Sequence, residues 1–399
     1  MKPRRIAVLK PDFGVTGGYE RMLERVEHTL RADRHDVTRI TVGVDALPHR
    51  VFGLVVPPEV WQQAPEYFRY LASLQAFERI DTRSFELVVT TQPPSFANPH
   101  PRQLSLFYHH HRIFYDLEDL YVQAGFTVEP ELHRRAARHV RHLDQPSLER
   151  VRWFLAGSES VRSRLARFNQ IDRVGLFSAG VPTGGDRLPA RRGQDGAGAV
   201  LCVGRHEFPK RTELFVQAMK HLPGHRGVSV GTGGRMAYVR AVDRRLSRPG
   251  ADPDALGPEE LWCNTGQGAA AVPDRFESNV SFLGRIDDPT LEHLYREAPC
   301  VVAPAYEEDY GLTAIEAMRH GTPVVVCTDG GGLRNLVTDE VDGLVTAPTG
   351  GAIAAAVARI TDEPGLRARL SQGARHRASG ITWTRAAEQL RAGLAEVLA

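Results

Sequence analysis

Two glutamates, Glu308 and Glu316, lie on either side of a turn at Gly311. The residues around them predict a short helix from about Leu312, and then an apolar strand and a glycine turn over 324–327 and 330–332. Gly311 lets the backbone approach a ligand. The first N–H groups of the helix that follows have no partner within the helix, so its start is a potential anion site. A carboxylate beside a phosphate suits sugar hydroxyls, as the acidic residue of dinucleotide-binding folds binds a ribose. The stretch therefore predicts a site for a phosphate linked to a sugar.

The same stretch resembles the E-x7-E signature of the retaining glycosyltransferases of GT-B fold, glycosyltransferase family 4. Gly311, the Thr322-Pro323 pair, the apolar strand and the glycine triplet lie in register with that signature. The resemblance implies that Glu308 lies by the donor sugar and that Glu316 holds the nucleotide ribose. The alternative is an ordinary strand–helix–strand unit that carries two exposed acids.

Two cations, Arg205 and Lys210, follow an apolar run over 200–203 that predicts a buried strand. They resemble the GR-x4-K element of the same family. A departing nucleoside diphosphate develops negative charge that a metal or fixed Arg and Lys side chains must stabilise. We expect Arg205 and Lys210 to supply that stabilisation, so that the reaction requires no metal and no other cofactor. Two solvated surface cations are the alternative.

The first half of the chain offers weaker signals. Gly17-Gly18 resembles the first glycine loop of the family, whose backbone amides reach the donor diphosphate, but a simple tight turn explains it equally well. Three histidines end a strand predicted over 104–108. The family places a histidine there against the donor sugar, and His109 matches best by register, with His110 next. An ordinary polar loop is the alternative.

Residues 282–288 resemble the corner of the family that contacts the nucleobase. A carboxylate at Asp288 could accept two N–H groups from guanine but only one from uracil, which favours a GDP-sugar over a UDP-sugar as donor. The alternative is that Asp287-Asp288 caps a helix over 289–297. The resemblance implies a catalytic set of His109, Arg205, Lys210 and Glu308. It implies a donor-binding set of Gly17, Gly18, Arg205, Lys210, Arg285, Asp288, Gly311, Leu312, Thr313 and Glu316.

Apolar runs alternate with helical patterns along the whole chain, which predicts parallel, doubly wound sheets. With the resemblance, this indicates a GT-B fold, in which two Rossmann-like domains face each other across a cleft. The expected order is an acceptor-binding domain over 1–180, a Gly- and Pro-rich linker over 181–198, a nucleotide-sugar domain over 199–380, and a C-terminal helix over 381–399 that crosses back to the first domain. Residues 248–277 exceed the expected loop, and a surface excursion is favoured over a flap above the nucleotide.

The composition limits the class of protein. The chain has 399 residues, which is long for one core, with 42% apolar and 25% charged residues. A net charge of +2 gives no reason to expect nucleic acid as a partner. The apolar runs are too short to predict a membrane span, and the four well-separated cysteines indicate buried reduced thiols in a cytoplasmic protein.

The sequence thus predicts a retaining glycosyltransferase that uses a GDP- or UDP-linked sugar. The acceptor stays open among small natural products, polysaccharides and lipids, because the half of the chain expected to bind it matches the family least. Asn335 stands where the family usually has a glutamate and therefore lacks its charge. A nucleotide-sugar epimerase or phosphorylase on the same fold, or a protein that binds the nucleotide sugar without transferring it, are the alternatives.

Overall fold

A computed structural model describes residues 2–14, 17–127, 129–181, 198–269 and 276–399 of the chain. The chain forms two compact units, of which the first comprises Met1–Pro182 and Trp383–Ala399 and the second Thr183–Thr382. The linker predicted over 181–198 lies, apart from its two end residues, outside the described residues.

The first unit is built on a six-stranded sheet with the strand order β2-β1-β5-β6-β7-β8, and every pairing in it is parallel. Residues 6–9 are all buried, as a parallel strand covered by helices on both faces requires. A separate antiparallel hairpin consists of β3 and β4. The strands are β1 (Arg5–Asp12), β2 (Asp36–Gly43), β3 (Arg50–Val51), β4 (Leu54–Val55), β5 (Leu87–Thr90), β6 (Gln103–Phe107), β7 (Trp153–Ala156) and β8 (Val174–Leu176).

Helices connect these strands, and the C-terminal helix of the chain also belongs to this unit. That last helix packs on the sheet through Gly393, where a side chain would meet Leu104 and Leu155 at 3.0–3.1 Å. At its start, the Trp383 indole donates to the Val181 carbonyl at 2.9 Å. The helices are α1 (Gly18–Ala32), α2 (Pro58–Trp61), α3 (Pro65–Glu78), α4 (Glu118–Gln123), α5 (Pro130–Arg150) and α6 (Glu159–Asn169).

The second unit repeats the architecture with the strand order β11-β10-β9-β12-β13-β14, again parallel throughout. The strands are β9 (Val200–Val203), β10 (Gly227–Val230), β11 (Val280–Gly284), β12 (Val301–Ala303), β13 (Val324–Cys327) and β14 (Gly343–Thr346). The helices are α7 (Thr212–Lys220), α8 (Met236–Leu246), α9 (Pro258–Leu261), α10 (Asp288–Glu297), α11 (Leu312–His320), α12 (Gly332–Leu336), α13 (Gly350–Asp362) and α14 (Leu366–Ser379), followed by α15 (Trp383–Leu398), the C-terminal helix of the first unit. All four cysteines of the chain are buried and unpaired.

The described part of the 248–277 segment is largely exposed, and a few buried apolar residues anchor it. Leu256, Leu261 and Trp262 are buried, with at most 9% of their surface exposed. Arg235, which directly precedes α8, holds the segment, because its guanidinium donates to the carbonyls of Asn264 and Trp262 and to the Glu213 carboxylate. These three apolar residues from the middle of the segment therefore belong to the core of the second unit. Among the described helices, none is long and apolar enough to cross a membrane.

Candidate donor site in the second unit

The strand order of the second unit leaves an opening beside its central strand, β9. The chain proceeds from β9 to β10 and β11 on one side of the sheet and then returns to β12 on the other side. The loops after β9 and β12 consequently leave the sheet in opposite directions, and a crevice opens between them at the carboxyl ends of the strands. Lys210 lies in the first loop and Glu308 in the second. In open parallel sheets this is the position at which ligands bind.

Lys210 and Glu308 form an ion pair across this crevice. The two side chains keep 30% and 17% of their surface exposed, so that the pair is accessible from solvent. An ammonium group has three N–H donors, and Lys210 can therefore bind a phosphate oxygen while it remains in contact with Glu308. The structure brings together two of the catalytic residues that the resemblance implies, although 98 positions separate them in the sequence.

The glycine triplet holds the loop that carries Glu308. The Gly332 amide donates to the Glu308 carbonyl at 2.6 Å, and the Glu308 amide donates to Gly330 at 3.1 Å. Gly331 has φ +56° and ψ −119°, a conformation that only glycine adopts without strain. A side chain there would meet the Glu307 Cα at 2.8 Å. These glycines form the predicted turn and let one protein loop approach another.

The start of α11 supplies free backbone donors beside this pair. Gly311 precedes the helix with φ +95°, and the first intrahelical bonds run from Ala314 and Ile315 to its carbonyl, at 3.0 and 3.2 Å. The amides of Leu312 and Thr313 precede those bonds and point out of the helix end. Helical side chains lean towards the N-terminus of their helix, so the Glu316 carboxylate leans towards the same end.

Glu316 has a fixed orientation. Its Oε2 accepts a hydrogen bond at 3.0 Å from the hydroxyl of Tyr295, which is fully buried. Burial raises the pKa of Tyr295 well above its usual value, with the negative charge of Glu316 adding to the effect, so the phenol stays neutral and can donate. The Glu316 side chain as a whole is half-buried.

The other residues implied on this unit lie at its surface. Arg205 and Arg285 are exposed and follow β9 and β11. Asp287, rather than Asp288, caps α10, since its carboxylate accepts from the Thr290 amide at 2.9 Å. The capping role that competed with nucleobase binding is thus filled by Asp287, and Asp288 remains half-buried in the first turn. Asn335 lies exposed on α12.

One buried cation in this region was not predicted from the sequence. Arg211 has no exposed side-chain surface, although it directly follows Lys210. Its guanidinium donates two hydrogen bonds to Asp329, at 2.9 and 2.6 Å, and one to the Pro304 carbonyl at 2.6 Å. It also lies 5.1 Å from the centre of the Trp262 ring and 5.6 Å from that of Tyr306. Arg211 therefore fastens together the loops after β9, β12 and β13, which carry Lys210, Glu308 and the glycine triplet.

The candidate residues of the first unit lie at the carboxyl ends of its strands. His109 is half-buried, and its Nδ1 lies 2.7 Å from the carbonyl oxygen of His110. His110 is buried and bonded to Asn169 at 2.7 Å, and burial lowers its pKa to about 4. The Gly17 amide already donates to the Glu20 carboxylate at 2.8 Å. A diphosphate would have to displace that carboxylate in order to bind the Gly17 amide.

Comparison with known proteins agrees with the fold. Residues 275–377 match the family model of the glycosyl transferases group 1, which spans Glu308, Glu316 and the glycine triplet. A D-inositol 3-phosphate glycosyltransferase of Frankia alni is 42% identical over 226 residues, covering 53% of this chain and 50% of that protein. The chain spans about a quarter to a half of the length of the first such relatives, with 24%, 50%, 24% and 40% covered.

Solved structures match over nearly the whole chain. Sucrose-phosphate synthase from Thermosynechococcus elongatus superposes with a TM-score of 0.69 at 20% identity, covering 97% of this chain and 98% of that one. HepE of Anabaena in complex with UDP-glucose superposes with a TM-score of 0.63 at 16% identity, covering 98% and 99%. The two parallel-sheet units are therefore those of the GT-B fold. Within this fold, the match to the glycosyl transferases group 1 covers residues 275–377, about a quarter of the chain.

Proposed function

We propose that the protein transfers a glycosyl group from a nucleoside diphosphate sugar to an acceptor hydroxyl. The observation that carries this proposal is the Lys210–Glu308 pair at the opening beside β9, next to the free amides at the start of α11. A cation and helix amides suit a diphosphate, and Glu308 and Glu316 suit the sugars on either side of it. The nucleotide sugar bound by HepE supports the same class of donor.

The proposed reaction proceeds with retention and needs no metal. The bond between the anomeric carbon and the phosphate oxygen breaks while the acceptor oxygen attacks from the same face, and the departing phosphate oxygen takes the acceptor proton. Arg205, Lys210 and the amides of Leu312 and Thr313 stabilise the charge that develops on the diphosphate. Fixed donors of this kind reorganise little during the reaction, which is the source of their catalytic effect.

The nucleobase distinguishes two forms of the proposal. The carboxylate of Asp288 favours guanine, which presents two adjacent N–H donors, whereas HepE binds UDP-glucose. Calorimetry with GDP and UDP, on the wild type and Asp288→Asn, separates the two. If Asp288 contacts the base, the substitution weakens GDP binding by at least about tenfold and UDP binding by less, because guanine offers two N–H donors and uracil one. Equal affinities of the wild type and the variant for GDP would remove Asp288 from the site.

The two glutamates provide the main test, because they are assigned to different parts of the donor. Glu316→Gln should weaken binding of the free nucleoside diphosphate by roughly 10- to 100-fold, since a charge-assisted hydrogen bond contributes about 1.5–3 kcal/mol. Glu308→Gln should bind the nucleotide normally and lose transfer. Glu297→Gln is the matched control, because Glu297 is an exposed acid at the end of α10.

Two measurements are needed: calorimetry with the nucleotide, and transfer of labelled sugar to a panel of acceptors that includes an inositol phosphate. Equal nucleotide affinity in Glu316→Gln and in the wild type would refute the ribose assignment. Donor binding without transfer to any acceptor would instead support a non-catalytic binding protein. Conversion of the donor without an acceptor would support an epimerase or phosphorylase.

A further inference from the structure

A second charged cavity lies in the first unit, at the edge of the sheet opposite to Gly17 and His109. It has a volume of about 480 Å³. Its walls come from residues that begin or directly precede β1, β5, β6 and β7, which are neighbours in the sheet in that order. Because the strands are parallel, their amino ends meet at one edge and their carboxyl ends at the other. The lining residues are Arg5, Arg83, Ser84, Phe85, Glu86, His100, Pro101, Arg102 and Arg152.

Positive charge dominates this cavity. Glu86 is its one carboxylate, and that group is already bound by Arg4 Nη1 at 2.9 Å and by the Arg5 amide at 3.0 Å. These two hydrogen bonds lower the pKa of Glu86, the one from the Arg5 amide having the larger effect. Arg83 is paired with Asp81 at 2.8 Å.

Three further arginines remain. Within the part of the chain that the structure describes, no acidic side chain pairs with the guanidinium groups of Arg5, Arg102 and Arg152. Each of these side chains is exposed to solvent. Three like charges around one opening repel one another, and a bound anion would relieve that repulsion.

The backbone beneath these arginines is fixed. Asn98 is fully buried, and its amide donates to the carbonyls of Phe77 and Ile80 at 3.1 and 3.0 Å. Its side-chain oxygen accepts from the Thr82 hydroxyl at 2.9 Å and the His100 amide at 3.2 Å. The buried His100 ring lies 3.0 Å from the Arg102 carbonyl and 3.2 Å from that of Phe85. The segments that carry Arg83 and Arg102 are therefore held together before any ligand binds, which lowers the entropic cost of binding.

We propose that this cavity binds a small molecule that carries two or more phosphate groups. Planar guanidinium groups bind phosphate oxygens in pairs, and several of them in one cavity suit a multiply charged phosphate compound better than a single carboxylate. The volume lies within the range of sites that take metabolite-sized ligands. The cavity lies at the sheet edge opposite to Gly17 and His109, and none of the residues assigned to the donor lines it, so it is a separate binding site and does not depend on the proposed transfer reaction.

Tripolyphosphate is the probe, titrated by calorimetry into the full chain. Arg102→Gln/Arg152→Gln should weaken binding by at least about tenfold, because each charge-assisted contact contributes on the order of 1.5 kcal/mol or more. The matched control is Arg135→Gln/Arg138→Gln, which removes the same charge from exposed arginines of α5. Lys210→Gln controls for binding of the probe at the donor site.

The proposal predicts that binding survives in the α5 control and in Lys210→Gln. Arg5→Gln is a second variant that should weaken binding on its own, and a thermal melt checks that each variant is folded. Equal affinities for Arg102→Gln/Arg152→Gln and the α5 control would overturn the proposal. So would loss of all binding in Lys210→Gln. Binding to vesicles that contain phosphatidic acid, without binding of tripolyphosphate, would show that the patch recognises a lipid surface and would also overturn it.

Discussion

The Arg211–Asp329 pair should couple the stability of the second unit to the geometry of its donor site. Asp329→Asn removes the charge that compensates a fully buried guanidinium. Breaking a buried ion pair typically costs about 3–5 kcal/mol. The Asp329 side chain is 30% exposed, so water partly replaces it and the amide keeps one acceptor oxygen. We therefore expect a loss of about 2–3 kcal/mol in the free energy of unfolding of this unit.

A double-mutant cycle with Arg211→Met isolates the interaction. Removing Arg211 leaves a carboxylate that water can reach. The double variant should therefore lose about 2 kcal/mol less of its free energy of unfolding than the two single variants lose when added together. Glu340→Gln is the control in the same unit, because the Glu340–Arg359 pair is nearly half exposed on both sides. Glu340→Gln should lower the free energy of unfolding by less than about 1 kcal/mol.

The measurement requires a probe that reports the second unit alone. Trp262 is the one tryptophan of the second unit, and it contacts Arg211 directly. Urea unfolding of the 5-fluorotryptophan-labelled protein can be followed by ¹⁹F NMR, with the resonance assigned by Trp262→Phe. If the losses in free energy of unfolding caused by Arg211→Met and Asp329→Asn add up in the double variant, the two residues are not coupled and the expected interaction is absent. A loss for Asp329→Asn no larger than that of the control would contradict it as well.

Three other predictions concern pH, strain and charge. Burial raises the pKa of Asp144 to about 7, so between about pH 4 and pH 7 the folded state holds a proton that the unfolded state has released. The free energy of unfolding of the wild type should therefore fall over this range by up to roughly 4 kcal/mol. Asp144→Asn should lack this fall when the free energy of unfolding of both proteins is measured against pH. Parallel profiles would refute this. Gly331→Ala should destabilise the second unit by more than about 2 kcal/mol, whereas Gly365→Ala, with φ +81° in open space, should cost only about 1 kcal/mol, as measured by urea unfolding. Similar losses for both would argue against a steric role of Gly331. Arg205→Ala should lower turnover by on the order of 10²-fold while a chelator leaves wild-type transfer intact; restoration of a chelated enzyme by magnesium or manganese would contradict the proposal that no metal is needed.

The strands and most helices of the second unit could be predicted because their patterns are local. The apolar run over 324–327 is strand β13 as predicted, and the helix predicted from Leu312 begins there. Predictions were weaker in the first unit, where the hairpin of β3 and β4 and the helix α3 were missed. The hairpin strands have two residues each, which is too short for alternation to be detected.

The candidate site was predictable where spacing along the chain determines geometry. Glu316 lies on the helix that begins after Gly311, so the helical repeat alone places it near the helix start. The burial of Arg211 could not be predicted in this way, because a cation next to Lys210 in the sequence is expected to be exposed to solvent. The available signal was its position directly after a buried strand and before α7, but its burial depends on Asp329, Pro304 and Trp262.

Local patterns in the sequence predict the alternation of strands and helices and the glycine turns, because each depends on neighbours within a few residues. The folded structure is needed to see that Lys210 contacts Glu308, that the glycine triplet meets the Glu308 loop, and that four strand starts bring arginines to one cavity. These contacts join residues far apart in the chain, and they follow from the order in which parallel strands assemble. That order is set by how the helices cover both faces of each sheet, which no local pattern encodes.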